Sequence, residues 1–170
     1  MVPEMDLNER ARRIELLVMD VDGVLTDGHL YFTDEGETIK VFHVRDGYGL
    51  NIFHAAGLRS GVISGRNSPI VDTRLRELGV EFIMQGRDDK VPALNELITS
   101  AGVPIDQVAF IGDDTLDAVV FPLVGLAAAV ADAHGSAKAA AHYITSHKGG
   151  RGAVRDVIDL ILTAKGRITS

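Results

Sequence analysis

Six short, mostly apolar runs alternate along this 170-residue chain with longer segments of helical character. The first run, IELLVM at residues 14–19, ends at Asp20, as expected of a strand that is buried on both faces. Strands that alternate with helices form parallel βαβ units, so the pattern predicts an α/β fold with a doubly wound parallel sheet. The other five runs lie at residues 58–63, 81–84, 107–111, 125–130 and 142–145.

The segments between these runs carry signals for helix ends. Asp46 is the expected N-cap of the first helix and Ser68 that of the second, where Pro69 follows, and Gly57 and Gly79 close these two helices. We therefore expect four helices, at residues 47–56, 69–78, about 88–101 and about 153–164.

One segment, at residues 29–44, departs from the alternation. It contains aromatic and β-branched residues on both sides of Asp34-Glu35-Gly36-Glu37, which is typical of a β-hairpin inserted after the first strand. An isolated two-stranded hairpin is only marginally stable in water. We therefore expect this apolar hairpin to pack against another surface, such as the same hairpin in a second subunit.

Composition excludes several functional classes. The net charge of −7 argues against a general nucleic-acid binder, and the absence of cysteine excludes disulfides, zinc–thiolate sites and thiol nucleophiles. The longest apolar stretch, residues 119–131, is interrupted by Pro122 and Gly125 and is shorter than the roughly 20 residues of a membrane span. The charged first residues do not resemble a signal peptide, so we expect one cytoplasmic domain over residues 1–170.

Polar residues follow four of the predicted strands, at the edge of the sheet where ligands bind in such folds. They form the segments DVDG (20–23), SGR (64–66), QGRDDK (85–90) and GDD (112–114). Carboxylates that lie close together repel one another, whereas Mg²⁺ turns such a cluster into a binding site and takes further ligands from a phosphate. Ser64, Lys90 and the loop amides beside Gly23 and Gly65 are suited to bind that phosphate.

These four segments resemble, in order, the motifs of the haloacid dehalogenase superfamily of phosphatases. A closer resemblance, from about Ile14 to Leu162, is to the phosphatases of 3-deoxy-D-manno-octulosonate 8-phosphate, which are small tetrameric members without a cap domain. The segments that carry it are DVDGVLTDG (20–28), EGETIKVFHVRDGYG (35–49), QGRDDK (85–90), VADAH (130–134) and GGRGAVRDV (149–157).

The resemblance implies roles for three aspartates and a Mg²⁺ ion. Asp20 would be the nucleophile and a metal ligand, and Asp113 a further metal ligand. Asp22 would be the general acid and base, and would bind the metal through its backbone carbonyl. The chemistry agrees, because a carboxylate that attacks phosphorus divides one difficult hydrolysis into two steps. Ser64 and Lys90 would neutralise the phosphoryl oxygens.

The substrate implied is a phosphorylated sugar acid, which carries a second anion. Arginine pairs with a carboxylate through two hydrogen bonds, so Arg66 is the first candidate, with Arg151 and Arg74 next and Gly23 offering its backbone amide. Without a cap, the mouth of the pocket is open unless a neighbouring subunit covers it. The hairpin or the C-terminal segment is available for this, which agrees with a homotetramer whose active sites lie near subunit interfaces.

Two other functions and some plainer explanations stay open. The same residues suit a phosphatase of a nine-carbon ulosonate 9-phosphate, and a catalytically idle oligomerisation module is possible, although retention of every motif argues against it. Taken alone, Ser64 is an ordinary turn hydroxyl, Lys90 a solvated lysine and Asp114 a helix cap. The expected function is hydrolysis of the eight-carbon phosphate, a step that feeds lipopolysaccharide synthesis.

Overall fold

The computed structural model describes residues 5–168, and its secondary structure follows the predicted alternation. The main sheet is parallel, and each predicted strand is found with its ends within two residues of the expected ones. Its strands are β1 (Leu16–Met19), β4 (Arg59–Ile63), β5 (Phe82–Met84), β6 (Val108–Gly112), β7 (Leu126–Ala129) and β8 (Tyr143–Ile144). The hairpin is confirmed as a separate antiparallel pair, β2 (Tyr31–Thr33) and β3 (Gly36–Ile39).

Helices connect the strands and flank the sheet. All four predicted helices are present, and α1, α5 and α6 are additional. Two single 3₁₀ turns lie at Ile105–Gln107 and Phe121–Leu123. The helices are α1 (Leu7–Arg13), α2 (Val44–Ala55), α3 (Pro69–Glu77), α4 (Lys90–Ala101), α5 (Thr115–Ala118), α6 (Gly135–Ala140) and α7 (Ala153–Ala164).

The sheet has the strand order β5-β4-β1-β6-β7-β8, so the chain leaves β1 toward one edge and later returns to build the other. Successive side chains of a strand point to opposite faces, and all four residues of β1 are fully buried, so both faces of the sheet are covered. This confirms the doubly wound arrangement. It also places the change of direction at β1, between β4 and β6, where such sheets form a ligand crevice.

The predicted N-cap of α2 is wrong. The helix begins at Val44, and the side chain of His43 caps it by accepting the backbone N–H of Arg45 at 3.3 Å. Asp46 lies inside the first turn, buried, and accepts the backbone N–H groups of Gly152 (3.2 Å) and Arg155 (2.9 Å). Asp46 therefore supports the start of α7, far along the chain, rather than the start of its own helix.

The hairpin is the only insertion between β1 and α2, and among the described elements no cap domain is present. Its second strand starts at Gly36, so the turn is limited to Asp34 and Glu35. Among residues 5–168, no helix has the length and apolar character needed to cross a membrane. The end of the C-terminal segment, which we considered as a cover for a neighbouring site, lies in part outside the described residues.

Candidate active site

The ends of three neighbouring strands bring the predicted site residues together. Met19, the last residue of β1, pairs with Val62 of β4 on one side and with Ile111 of β6 on the other. Because the strands are parallel, the residues that follow them meet at the carboxyl end of the strands. The cleft at this end of the strands has a volume of about 260 Å³. It is lined by Asp20, Asp22, Ser64, Gly65, Arg66, Asp88, Lys90, Asp113, Asp114, Leu116 and Asp117.

Three carboxylates form an acidic cluster in this cleft. One oxygen each from Asp20, Asp113 and Asp117 lies within 4.8 Å of the others. Asp117 is buried, and its Oδ2 accepts the backbone N–H groups of Asp113 (2.9 Å) and Asp114 (3.3 Å). Asp114 and Asp117 also form a capping box at the start of α5. These bonds fix the GDD loop and hold Asp113 beside Asp20.

Lys90 lies next to the acidic cluster and is only 3% exposed. Its Nζ lies 2.9 Å from Asp20 Oδ1 and 3.1 Å from Asp117 Oδ1, and it donates to the carbonyl of Ile63 at 2.8 Å. The ammonium group is thus paired with two carboxylates and donates one hydrogen bond to a carbonyl. Burial alone lowers the pKa of Lys90, but Asp20 and Asp117 raise it above its usual value, so the side chain is charged.

The remaining negative charge of the cluster is not balanced by Lys90. Burial and the charge of Asp117 raise the pKa of Asp20 to about 6, although Lys90 acts in the opposite direction. Burial together with Asp20 and Asp117 raises the pKa of Asp113 to about 8. A divalent cation with a preference for oxygen ligands would remove this repulsion. The donor set of the cluster therefore fits such an ion.

Gly23 leaves the space that Asp113 occupies. Its φ of 88° lies in the left-handed region, and a Cβ atom at this position would be 2.1 Å from Asp113 Oδ2. Only glycine adopts this φ and leaves room for the Asp113 carboxylate without strain. The DVDG loop after β1 therefore touches the GDD loop after β6 through a residue that has no side chain.

Asp22 points away from the acidic cluster, toward the hairpin. Its Oδ1 contacts Nζ of Lys40, and its Oδ2 lies 3.7 Å from Nε of Arg66. Ser64 directly follows β4, lines the same cleft and is 3% exposed. The cleft thus contains a carboxylate cluster, a separate carboxylate, a hydroxyl and an ammonium group. This set can bind a phosphate ester and move a proton to or from it.

Comparison with known proteins agrees with this chemistry. A model of the haloacid dehalogenase-like hydrolase family matches residues 70–158. The 3-deoxy-D-manno-octulosonate 8-phosphate phosphatase of Yersinia pestis is 45% identical over 163 residues, which cover 96% of this chain and 87% of that relative. The chain belongs to the haloacid dehalogenase-like hydrolase family. The corresponding phosphatase of Escherichia coli K12 is 42% identical over the same shares of the two chains.

Solved structures of relatives have the same fold as this haloacid dehalogenase-like hydrolase. The crystal structure of the Yersinia pestis phosphatase matches with a TM-score of 0.93 and covers 95% of this chain and 88% of its own. The phosphatase of Moraxella catarrhalis, 41% identical, matches with a TM-score of 0.91 over 94% of this chain and 92% of its own. That protein was solved in complex with a magnesium ion, a phosphate ion and a KDO molecule.

The structure of this hydrolase brings one of the three candidate arginines into the cleft. Arg66 is partly exposed, and its guanidinium lies 3.5 Å from Glu37 Oε1. Arg74 is on α3 and pairs with Glu77 at 2.8 Å, outside the cleft lining. Arg151 pairs with Asp27 at 3.4 Å in a different pocket. Among the residues that the structure describes, Arg66 is therefore the one of the three candidate arginines that lines this cleft.

Sequence reasoning missed residues that the hairpin contributes to the surroundings of the site. Lys40 contacts Asp22, Glu37 contacts Arg66, and Lys40 and Glu37 also pair with each other. Neither Lys40 nor Glu37 follows a strand of the main sheet. The available signal was a lysine placed inside the apolar run IKVF, where a solvated lysine is not expected. Leu116, also missed, lines the cleft and is 57% exposed.

Proposed function

We propose that this hydrolase is a Mg²⁺-dependent phosphomonoesterase that converts 3-deoxy-D-manno-octulosonate 8-phosphate into the sugar acid and inorganic phosphate. The observation that carries the proposal is that Asp20, Asp113, Lys90 and Ser64 line one cleft, at the place in the sheet where the chain changes direction. The names of the relatives, and the ligands in the Moraxella catarrhalis structure, support the substrate and the ion. In lipopolysaccharide synthesis, this reaction supplies the free octulosonate.

The residues that would hold Mg²⁺ are Asp20 and Asp113 through their carboxylates and Asp22 through its backbone carbonyl. The raised pKa values of Asp20 and Asp113 support this assignment, because they mark negative charge without a full counter-charge. A bound Mg²⁺ supplies positive charge to the phosphoryl oxygens and helps to orient the phosphate. Asp117 keeps the loop of Asp113 in place through its two backbone hydrogen bonds.

The reaction then proceeds in two displacements at phosphorus. In the first, a carboxylate oxygen of Asp20 attacks, the bond from phosphorus to the sugar oxygen breaks, and Asp22 gives its proton to that oxygen. In the second, water attacks the aspartyl phosphate, Asp22 takes a proton from the water, and phosphate and the Asp20 carboxylate are regenerated. Lys90 and the hydroxyl of Ser64 offset the charge of the phosphoryl oxygens in both displacements.

The carboxylate of the sugar acid is assigned to Arg66, which is the arginine of the cleft. We place the reaction in the cytoplasm and infer a homotetramer with active sites near the subunit interfaces. Apolar side chains of the hairpin support a contact with other copies, since Phe32 is 59% exposed and Ile39 52%. A neighbouring subunit at this position would narrow the open mouth of the cleft.

A phosphate-release assay tests the proposal. The chain is incubated with the eight-carbon 8-phosphate or with a nine-carbon ulosonate 9-phosphate, each with Mg²⁺ and with EDTA. We expect hydrolysis of the eight-carbon ester that EDTA abolishes, and a lower kcat/KM for the nine-carbon ester. A higher kcat/KM for the nine-carbon ester would overturn the substrate. Release of no phosphate from either ester would overturn the enzymatic function in favour of an idle module.

A further inference from the structure

The hairpin carries a buried lysine at the edge of the active site. Lys40 directly follows β3, and its side chain is 1% exposed. A charged ammonium group is costly to bury unless carboxylates surround it. Two of them do: Nζ contacts Asp22 Oδ1 and lies 2.9 Å from Glu37 Oε1. One of these partners, Asp22, is the proposed proton donor, and the other belongs to the hairpin itself.

Lys40 is the closest cationic partner of Asp22. Arg66 also approaches Asp22, but its Nε is 3.7 Å from Oδ2, and its guanidinium is shared with Glu37 and with the ring of Phe32, 5.8 Å from the ring centroid. Although burial raises the pKa of Glu37, Lys40 and Arg66 keep it below its usual value, so Glu37 is ionised and anchors both cations. The hairpin thus supplies an ionic network that ends on the carboxylate of Asp22.

The geometry points to Lys40 as a positioning residue, which holds the Asp22 side chain on the leaving-group side of the cleft and away from the acidic cluster. This inference rests on the proposed function, because it takes Asp22 as the proton donor. Lys40 engages Oδ1, so Oδ2 is the oxygen from which the proton passes to the sugar oxygen as the bond to phosphorus breaks. A general acid has to lie within hydrogen-bond reach of the atom that it protonates.

A purely structural role for Lys40, which would only fasten the hairpin, makes a different prediction. The leaving group separates the two roles, since an alkoxide needs a proton to depart, whereas p-nitrophenolate departs without one. Loss of the position of Asp22 should therefore slow the first displacement, which releases the leaving group, on the sugar phosphate but not on p-nitrophenyl phosphate. The second displacement, in which Asp22 takes a proton from water, is common to both esters and does not separate the two roles. General disorder of the cleft should slow hydrolysis of both esters.

The test measures KM and the single-turnover rate of leaving-group release from both esters, with Mg²⁺, for the unmodified full chain and for Lys40→Met. We expect the single-turnover rate on the sugar phosphate to fall about 100-fold, at the lower end of what a general acid contributes, with little change in KM. On p-nitrophenyl phosphate the single-turnover release of p-nitrophenolate should change less than about threefold, because this leaving group needs no proton to depart. Lys165→Met is the matched control, since Lys165 is also buried and paired, with Glu15 at 2.7 Å, far from the cleft.

A double variant provides the second measurement. In an Asp22→Asn background, Lys40→Met should cause no further loss on the sugar phosphate, whereas independent losses that multiply would overturn the inference. Equal losses of Lys40→Met on both esters would overturn it as well. If Lys40→Met does not fold, Lys40→Arg is used, for which we expect a smaller loss with the same difference between esters. If the unmodified protein hydrolyses p-nitrophenyl phosphate but not the sugar phosphate, the proposed substrate is refuted instead.

Discussion

Substitution of Gly23 by alanine tests the proposed metal site without changing any of its ligands. The new Cβ would lie 2.1 Å from Asp113 Oδ2 and 2.6 Å from its Cγ, so Asp113 has to move. Ordinary contact requires a retreat of more than about 1 Å, since non-bonded heavy atoms prefer about 3.5–4.0 Å. Mg²⁺ holds its ligands at about 2.0–2.1 Å and tolerates little distortion. We expect Mg²⁺ affinity to fall about 10–100-fold, as when a group that orients a ligand is removed.

Thermal unfolding converts this loss into a measurable difference. At a Mg²⁺ concentration of about 100 times the dissociation constant, the ion stabilises the unmodified protein by about 2.7 kcal/mol. If the dissociation constant of Gly23→Ala is 100 times higher, the same concentration adds only about 0.4 kcal/mol. Titration calorimetry with Mg²⁺ gives the two dissociation constants directly. The positive φ costs the variant a further 1–2 kcal/mol or so with or without the ion.

Gly28→Ala is the matched control for backbone strain. Gly28 has a φ of 79°, close to the 88° of Gly23, but its added Cβ would meet only the backbone of Gly23, at 3.5 Å. This variant should lose similar stability and keep its Mg²⁺ affinity. Unchanged Mg²⁺ affinity in Gly23→Ala would refute the assignment of Asp113 as a ligand. Equal losses of affinity in the two variants would show that loop strain, not displacement of Asp113, is responsible.

Asp20→Asn should abolish phosphate release while the circular dichroism of the folded chain is retained, and near-normal hydrolysis would exclude Asp20 as the nucleophile. Without Mg²⁺, the raised pKa values of Asp20 and Asp113 mean that the folded chain keeps protons that the unfolded chain has released. The melting temperature should therefore fall as pH rises from about 5 to 8, and Mg²⁺ should reverse the fall at pH 8. A metal-free melting temperature that stays level or rises over this range would contradict the argument. Arg66→Ala should raise KM for the sugar-acid phosphate at least about tenfold, the effect of one charged hydrogen-bonded pair, but not KM for glycerol phosphate. Arg87→Ala, which removes an arginine paired with Glu96, is the control, and equal effects on the two esters would remove Arg66 from carboxylate binding.

The parts of the fold that could be predicted are those with a local cause. A strand such as β1 is buried on both faces, so it appears as an uninterrupted apolar run, and the functional residue Asp20 follows it directly. The same holds for Ser64 after β4 and Asp113 after β6. Because parallel strands end at one edge, three local signals were enough to predict that these side chains share a cleft.

The parts that could not be predicted depend on partners distant in sequence. Asp46 looks like a local helix cap, but its hydrogen bonds go to the start of α7. Lys40 stands out as a lysine in the apolar run IKVF, but nothing local shows which residue it contacts, because its contact with Asp22 exists only when the hairpin has packed beside the cleft. Arg74 was chosen for its residue type alone, and α3 directs it to Glu77. Helices α5 and α6 are too short for a periodic apolar pattern to identify them.

The separation in sequence of Asp20 and Asp113 has a consequence for folding kinetics. The two carboxylates become neighbours only after β6 has paired with β1, the central strand, which requires closure of a long loop. Mg²⁺ therefore has few ligands to bind in species where this pairing is incomplete. If β6 docks after the rate-limiting barrier, the ion should slow unfolding and leave the refolding rate almost unchanged.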